Sequence, residues 1–542
     1  MTASTYDYVI VGAGSAGCVL ASRLTEDPSI SVLVLEAGGW DTNPWIRIPL
    51  GWPRLLLQRM DDWMYFSEPQ PEIGDRPIEC ARGRVVGGSS SINAMAYVRG
   101  HRGDYDRWAR SGLTGWSYSE VLPYFRRQES WEGGADPFRG GEGPLNTRFS
   151  CYEDPLAEAI TAAGLAAGHP YTNDYNGERQ EGFGEWQFTI KDGRRWSAAD
   201  AYLKPALPRP NLTVSVKSLT TAITLEGGRA IGVTYARGGQ TLSVRAAREV
   251  IVCGGVINSP QLLNLSGIGD PNELRAVGIP AKVELAGVGK NLQDHISAAV
   301  AYRRRDTGPL HRAMRIDRLL RELGKAYFFG AGIATDLPSR SMAFLKTLPD
   351  LEMPDVQIKA IAAPMSAHPY LSPFVRPYQD GFALRAAVLR PESRGYVQLT
   401  SNDPAAPPRI VQNFLTAPRD RETLRAGIRI ARDIGRQGPL RRFVEQELAP
   451  AGFSDAALDK HIHETGISVH HPLGTCKMGT DRDETAVLDA EFRVRGVERL
   501  RVVDASAMPD MIGGNINAAV IMMAERAADM IRGNPLLAPM RS

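Results

Sequence analysis

Near its start the chain reads Tyr8-Val9-Ile10-Val11-Gly12-Ala13-Gly14-Ser15-Ala16-Gly17. Residues 8–11 are β-branched or aromatic, as a strand buried on both faces requires. The glycines follow with GxGxxG spacing: the first makes a tight turn, the second lets the backbone approach a pyrophosphate, and the third lets the helix pack on the strand. This stretch therefore predicts a strand, loop and helix that hold a dinucleotide at the helix N-terminus.

A second strand, residues 31–35, ends at Glu36. This carboxylate lies about 20 residues past the glycines, where an acid that binds a ribose hydroxyl is expected. A lone GxGxxG is also typical of an ordinary tight βαβ turn without a ligand, but strand, glycines, helix, strand and acid in this order favour a nucleotide. The pattern does not distinguish NAD from FAD.

Composition excludes several classes of protein. A chain of 542 residues exceeds the size at which one core keeps growing, so we expect two domains. A net charge of +2 gives no reason to expect a nucleic-acid partner. The five cysteines are scattered and lack the spacing of metal ligands or of a disulfide framework. With no signal-peptide pattern and no apolar run of about 20 residues, we expect a cytoplasmic protein without a transmembrane segment.

The segment between Arg82 and Arg99 is rich in glycine and serine. Small residues at this density let the backbone come close to a flat or charged group. A flexible surface loop is the alternative, but interleaved apolar residues such as Val86 and Ile92 indicate that the segment is packed. We therefore predict a cofactor contact here.

Later segments predict the remaining elements from their periodicity and turn residues. Residues 212–216, 222–225 and 230–236 are expected to form a β-meander, and residues 249–253 a second buried strand. Residues 382–389 and 395–399 are expected to be antiparallel strands. Amphipathic helices are predicted over residues 315–329, 420–435 and 518–532, the last one ended by Gly533 and Pro535.

Together these motifs resemble the glucose–methanol–choline (GMC) oxidoreductases, which are FAD-dependent enzymes that oxidise alcohols. The likeness covers nearly the whole chain. Within the family, the chain is similar to the bacterial choline dehydrogenase-like and hydroxymethylfurfural oxidase-like branches. It rests on five motifs in order: residues 12–17 with Glu36, 82–93, 254–263, His471-Pro472, and 504–517.

The resemblance implies an α/β fold, α+β overall, in which a Rossmann-like FAD-binding domain carries an inserted substrate domain with an antiparallel sheet. The implied FAD-binding segments are residues 1–155, 195–309 and 456–542, and the implied substrate segments are 156–194 and 310–455. The implied cofactor contacts are Gly12, Gly14, Ser15, Ala16, Gly17, Glu36, Ala37, Arg84, Val86, Gly88, Ser89, Asn93, Ala94, Val216, Asp504, Ala505, Asn515, Ile516 and Asn517. Some relatives attach the flavin covalently through a histidine, but the matching position here is Ile92, so we predict non-covalent FAD.

Alcohol oxidation requires a base for the hydroxyl proton, and a neutral histidine suits this task. Four histidines lie close together: His461, His463, His470 and His471. The resemblance selects His471 as the base, with the hydride passing to flavin N5, and Asn515 as a hydrogen-bond donor to the substrate oxygen. A cap of the following helix is the alternative role for Asn515. Adjacent histidines point to opposite faces of a strand and no acid or cysteine lies at ligand spacing, so we predict no metal.

The predicted function is oxidation of a primary alcohol to the aldehyde, with reduced flavin reoxidised by a quinone-like carrier or by oxygen. An oxygen-using oxidase of the aryl-alcohol, hydroxymethylfurfural or pyridoxine type is the alternative, and a flavin-containing hydroxynitrile lyase is a second one. No run of acids marks a cationic substrate such as choline, which favours a neutral alcohol. Trp63, Phe329 and Met365 are candidates for the pocket wall.

Overall fold

Two seven-stranded β-sheets organise the protein, which is described over residues 4–540 by a computed structural model. The strands are β1 (Thr5–Val11), β2 (Val32–Leu35), β3 (Glu129–Trp131), β4 (Leu145–Phe149), β5 (Gly182–Glu185), β6 (Gln187–Phe188), β7 (Ile190–Lys191), β8 (Arg194–Arg195), β9 (Leu212–Ser215), β10 (Leu219–Glu226), β11 (Arg229–Arg237), β12 (Gln240–Val252), β13 (Ile268–Gly269), β14 (Val283–Glu284), β15 (Ile296–Arg304), β16 (Ser341–Leu345), β17 (Val356–Ile361), β18 (Gly381–Val388), β19 (Tyr396–Gln398), β20 (Arg409–Val411), β21 (Val444–Ala449), β22 (Ile467–Ser468) and β23 (Leu500–Val502).

Helices cover both sheets and connect their strands. They are α1 (Ser15–Leu24), α2 (Pro44–Arg47), α3 (Trp52–Leu57), α4 (Arg102–Arg110), α5 (Tyr118–Gln128), α6 (Pro155–Ala166), α7 (Lys204–Ala206), α8 (Gly255–Leu265), α9 (Pro271–Ala276), α10 (Pro309–Ala313), α11 (Ile316–Phe329), α12 (Pro418–Arg436), α13 (Asp455–Thr465) and α14 (Asn517–Arg532). The predicted helices over residues 315–329, 420–435 and 518–532 are confirmed as α11, α12 and α14.

The first sheet has the order β10-β11-β12-β1-β2-β9, with β23 also paired to β12. β1, β2, β9, β23 and the last part of β12 run parallel, and the residues of β1 from Tyr8 to Val11 and all of β2 are buried. Strands buried on both faces need the continuous apolar runs that the sequence shows here. The predicted Rossmann-like unit is therefore confirmed, and β23 adds the distal end of the chain to it.

One predicted element is wrong. Residues 212–216 were expected in a β-meander, but β9 pairs in parallel with β2 at the other edge of the sheet. The meander consists of β10, β11 and the first part of β12. The partner of β9 lies about 180 residues earlier in the chain, and a local pattern of alternating residues carries no information on so distant a partner.

The second sheet is antiparallel, with the order β21-β15-β18-β17-β16-β5 and with β22 paired to β15. Helix α12 packs on it through an apolar face that includes Leu424, Ile428 and Ile434, all buried. Because β15 (Ile296–Arg304) belongs to this sheet, the pairing favours a boundary before residue 296 rather than after 309. The division into five segments otherwise stays a prediction.

Helices α1 and α14 lie against each other and bring the two ends of the chain together. The carboxylate of Glu525 on α14 is fully buried and accepts hydrogen bonds from Arg23 Nε and Nη2 at 3.0 and 2.9 Å. Tyr202 also donates to this carboxylate, at 2.8 Å. A buried carboxylate is stable only when it is paired in this way, so this contact fixes the distance between the two helices.

The structure also bears on the transmembrane segments and the cysteines. None of the helices within residues 4–540 combines the length and apolarity that crossing a bilayer demands. All five cysteines are free thiols, and Cys151 is the exposed one.

Replacing Ile428 by alanine tests the contact between α12 and the antiparallel sheet. Because this side chain is fully buried, its truncation leaves a cavity, and we expect the free energy of unfolding to fall by about 2–5 kcal/mol. Equilibrium denaturation in urea measures the change. The matched control is Glu422→Ala on the exposed face of the same helix, and an equal loss in both variants would contradict the assigned packing.

Candidate active site

A cavity of about 830 Å³ runs from the loop between β1 and α1 to the strands β17 and β18 of the second sheet. Most of the residues predicted from the sequence line it. They are Gly12, Gly14, Ser15, Ala16, Glu36, Ala37, Gly88, Ser89, Asn93, Ala94, His471, Asp504, Ala505, Asn515, Ile516 and Asn517. The structure thus gathers segments from the first hundred and the last hundred residues of the chain around one space.

Four of the predicted contacts lie outside the cavity wall. Gly17 packs inside α1, where a side chain would overlap the carbonyl oxygen of Gly12. Arg84 lies over the ring of Trp63, with its guanidinium carbon 4.6 Å from the ring centre. Val86 is fully buried in the core of the first sheet, and Val216 packs against that core beyond the end of β9. Their roles as cofactor contacts stay predictions.

At one end of the cavity two glycine loops touch backbone to backbone. Gly88 has φ +54°, and a Cβ atom there would lie 2.7 Å from the Cα atom of Gly14. Gly14 is the N-cap residue of α1, and no side chain caps this helix. The first amides of α1 therefore face the cavity without a partner from a side chain, as a site for pyrophosphate requires.

Glu36 lies at the carboxyl end of β2 and is buried. Its carboxylate accepts hydrogen bonds from the backbone amides of Ala13 at 2.8 Å and Gly38 at 2.7 Å. Burial raises its pKa to about 7. The side chain thus holds the glycine loop in shape, in addition to lining the space where a ribose was predicted.

The glycine- and serine-rich segment between Arg82 and Arg99 is packed, as predicted. Part of it is held by Arg195, a residue that the sequence analysis did not identify. Arg195 Nη1 donates to the side-chain oxygen of Asn93 at 2.9 Å and to its carbonyl at 2.6 Å. Burial lowers the pKa of Arg195 to about 9, and its Nη2 atom has no hydrogen-bond partner. This arginine positions Asn93 and Ala94 at the cavity wall.

Asp504 follows β23, and its carboxylate is occupied by the protein itself. It accepts hydrogen bonds from the amide of Gly255 at 2.9 Å, the hydroxyl of Ser259 at 2.6 Å, and the amide and hydroxyl of Ser506. Gly255 and Ser259 belong to the start of α8. Asp504 thus ties α8 to the last parallel strand. Its carbonyl oxygen accepts from the amide of Ala507 at 3.1 Å, so its backbone amide, rather than its carboxylate, is left for a ligand.

At the other end of the cavity, four groups form a hydrogen-bonded chain. His295 Nε2 lies 3.0 Å from the carbonyl oxygen of Leu389, His295 Nδ1 lies 2.9 Å from His471 Nδ1, and His471 Nε2 lies 2.9 Å from Asn515 Nδ2. A carbonyl can only accept, so His295 donates through Nε2. Burial lowers the pKa of His295 to about 3 and keeps it neutral, so its Nδ1 accepts from the Nδ1–H of His471.

The direction of this chain fixes the tautomer of His471. With its proton on Nδ1, the neutral ring carries a lone pair on Nε2 that accepts from the amide of Asn515. The pKa of His471 is lowered well below its ordinary value, first by burial and then by the neighbouring His295 ring and the charge of Lys359. The cavity therefore meets an unprotonated imidazole nitrogen that can accept a proton.

The backbone at His471 is held by three polar contacts. Asp294 Oδ1 accepts from the amide of His471 at 2.9 Å, and Ser468 Oγ accepts from the amide of His470 at 2.7 Å. Arg82 Nη2 donates to the carbonyl of His470 at 2.7 Å. His470 has φ +62°, a conformation that is rare outside glycine, so these contacts are needed to maintain the turn that presents His471.

The remaining two histidines of the cluster lie elsewhere. His461 Nε2 is hydrogen-bonded to the carbonyl of Ala299 on β15 at 2.8 Å, and His463 is exposed. Across the portion of the chain that is described, no group of three or more His, Cys, Asp or Glu side chains could hold a metal ion.

Of the three pocket candidates, Trp63 and Met365 line the cavity, whereas Phe329 is 80% exposed and lies outside the wall.

Three observations fit a flavin dinucleotide in this cavity. The N-terminus of α1 has no side-chain cap, which suits the diphosphate. Gly14 and Gly88 lie in close contact without side chains, so a flat group can approach the backbone there. The buried Oδ1 atom of Asn515 has no hydrogen-bond partner among the described residues. A buried polar atom of this kind needs a partner, and the cavity is where one would lie.

Comparison with known proteins agrees with this geometry. The family described as GMC oxidoreductase matches residues 6–297 with its N-terminal part and residues 391–524 with its C-terminal part. Mitochondrial choline dehydrogenase from Mus musculus is 42% identical over 98% of this chain and 90% of its own length. Oxygen-dependent choline dehydrogenase from Sinorhizobium medicae is 43% identical over 98% of this chain and 96% of its own length.

Solved structures give the same result. Pyridoxine 4-oxidase from Mesorbium loti superposes with a TM-score of 0.87 at 34% identity, covering 98% of this chain and 100% of that one. Formate oxidase from Aspergillus oryzae, a structure concerned with its FAD, has a TM-score of 0.88 at 26% identity, covering 98% and 99%. On these matches, the chain belongs to the GMC oxidoreductase family of FAD-dependent enzymes that act on alcohols.

Proposed function

We propose that this protein oxidises a primary alcohol to the aldehyde with FAD as cofactor and His471 as the base. One observation carries the proposal: the chain of hydrogen bonds from Leu389 through His295 leaves an unprotonated Nε2 on His471, facing the cavity. Oxidation of an alcohol needs a proton acceptor at this point, and a neutral imidazole is suited to it.

His471, Asn515 and His295 are proposed to have different roles in the reaction. His471 Nε2 accepts the hydroxyl proton, and the amide of Asn515, which now donates to Nε2, can donate to the substrate oxygen instead. A donor at that point stabilises the developing alkoxide. His295 is a positioning residue, because it holds the proton of His471 on Nδ1. Bound FAD would supply the two-electron acceptor for the carbinol carbon.

The proposed FAD site follows the cavity wall. The amides at the start of α1 and the glycines at 12, 14 and 88 would hold the diphosphate, and Asn93, Ala94 and the segment 515–517 would contact the ring system. Ile92 lines the cavity at the position where some relatives have a histidine that bonds to the flavin. An aliphatic side chain cannot form this bond, which supports non-covalent FAD.

The electron acceptor is proposed to be a quinone-like carrier or oxygen. Two groups of relatives support oxygen as a candidate, since one is named oxygen-dependent choline dehydrogenase and another pyridoxine 4-oxidase. Turnover in an oxygen electrode, compared with turnover in an anaerobic dye-coupled assay, separates the two. Anaerobic bleaching of the flavin by an alcohol supports oxidation; cyanohydrin cleavage without bleaching would instead identify a lyase.

The variant His471→Ala tests the base. Its loss should lower kcat by roughly 10²–10⁴-fold, the usual contribution of a general base, while the flavin absorbance of the purified protein stays unchanged. The matched control is His463→Ala, because that side chain is exposed and outside the cavity. Turnover in His471→Ala equal to that of the control would remove His471 from the mechanism.

The pH profile tests the state of this base. The neutral imidazole is the active form, so kcat/KM is lost as the pH falls through the pKa of His471. Burial and the neighbouring charges lower this pKa well below its ordinary value of 6.5. With a neutral alcohol, we therefore expect kcat/KM to stay level from pH 8 downward and to decline only below pH 6.5. A decline centred above pH 7 would mean that the imidazole is not held neutral.

Substitutions at two adjacent glycines, Gly38 and Gly39, test whether the segment after Arg84 holds the cofactor. A Cβ atom at Gly38 would overlap the carbonyl oxygen of Arg84, whereas a Cβ atom at Gly39 would meet nothing within 4 Å. Gly38→Ala should displace the segment after Arg84 and lower the flavin content of the purified protein at least several-fold. Gly39→Ala should keep the wild-type ratio of flavin to protein absorbance. Full flavin content in both variants would show that this segment does not hold the cofactor.

A further inference from the structure

Two basic side chains project from neighbouring strands of the second sheet into the substrate end of the cavity. Lys359 on β17 and Arg385 on β18 are direct register partners, so they lie on the same face of the sheet, and both line the cavity. Arg385 Nη1 donates to the hydroxyl of Ser297 on β15 at 3.3 Å. Like charges directly opposite on adjacent strands repel each other, so this placement destabilises the fold.

Neither cation has an acidic partner. No ion pair among residues 4–540 includes Lys359 or Arg385. Burial lowers the pKa of Lys359 to about 7 and that of Arg385 to about 10. Unpaired cations in a buried site are destabilising unless a ligand compensates them.

The acids of the cavity are engaged elsewhere. Glu36 and Asp504 hold backbone loops at the nucleotide end, and Asp62 is paired with Arg59 at 2.8 Å. The charge of Asp294 acts on Lys359 without forming an ion pair with it, and the two carboxylate oxygens accept from the amide of His471 and from the hydroxyl of Ser468 at 2.5 Å. At this end the wall therefore carries Lys359 and Arg385, besides Arg82, which is bonded to the carbonyl of His470, and no free carboxylate.

These cations lie close to the proposed base. The charge of Lys359 contributes to the lowered pKa of His471, of His470 and of His295. Ser297, which accepts from Arg385, pairs with Ile467, four residues before His471, so both basic side chains border the part of the cavity that a molecule with its hydroxyl at His471 Nε2 would fill. Arg385, with a pKa of about 10, is charged at neutral pH, and Lys359, with a pKa of about 7, is partly charged and would be protonated more fully beside an anion. Together they favour an anionic group and oppose a quaternary ammonium group.

Resting on the alcohol oxidation proposed above, we infer that the substrate is an alcohol that also carries an anionic group, a carboxylate or a phosphate monoester, which binds between Lys359 and Arg385. Choline, the substrate named for several relatives about 42% identical to this chain, would be a poor substrate here because its cation would face these two side chains.

Three probes of matched shape test the inference on the FAD-loaded enzyme: 4-(hydroxymethyl)benzoate, 4-(hydroxymethyl)phenyl phosphate and the neutral 4-(hydroxymethyl)benzamide. We expect kcat/KM for at least one anionic probe to exceed that of the amide by about 10–100-fold, the range of a charge-assisted hydrogen bond, and choline to be slower than the amide. The first two probes distinguish a carboxylate from a phosphate.

Removing the charges should abolish the preference. In Lys359→Met and Arg385→Met, the ratio of kcat/KM for the preferred anionic probe to kcat/KM for the amide should fall by about 10-fold or more; the ratio cancels any effect of the lost charge on His471, which acts on both probes. Lys282→Met, at an exposed position, is the control and should leave this ratio unchanged. Flavin content verifies that each variant is folded.

The outcomes separate the two proposals. If no alcohol bleaches the flavin anaerobically, the proposed function itself fails. If the amide bleaches it and neither anionic probe is preferred, only the inference about the substrate is overturned. A lower reduction potential of the flavin in Lys359→Met, with unchanged discrimination between probes, would assign the cation to the cofactor and would also overturn the inference.

Discussion

The parallel pairing of β12 with two strands from opposite ends of the chain is the constraint on which the active site depends. Residues Val250–Val252 pair with β1 along one edge and with β23 along the other. This brings the start of α14 to the start of α1, where Ser15 Oγ donates to Asn517 Oδ1 at 2.7 Å. Without this pairing, the glycine loop and the Asn515 that serves His471 would belong to unrelated parts of the molecule.

The elements whose signal is local could be predicted from the sequence. The apolar run before Gly12, the glycine spacing and the acid at position 36 all lie within about 30 residues and define β1, α1 and β2. The apolar face and the terminal Gly533 likewise predict α14 to within one residue. Each of these patterns reports on burial or on backbone conformation at its own position, which is information that a single sequence carries.

The contacts that make the site work depend on distant segments and could not be predicted in this way. His295 meets His471 across 176 positions of the chain, and Asp294 meets the amide of His471 across 177. The only local sign was that they follow a tight glycine loop at residues 287–292. Lys359 and Arg385 face each other because of sheet register, which no single strand reveals.

The chain of hydrogen bonds behind His471 has a closed end. It terminates at the carbonyl oxygen of Leu389. This atom accepts a hydrogen bond but has no proton of its own to transfer to a further group. A proton taken up at Nε2 therefore has no exit through the protein interior. It has to return through the cavity, so the lifetime of the charged imidazole is governed by the departure of the aldehyde and the entry of water.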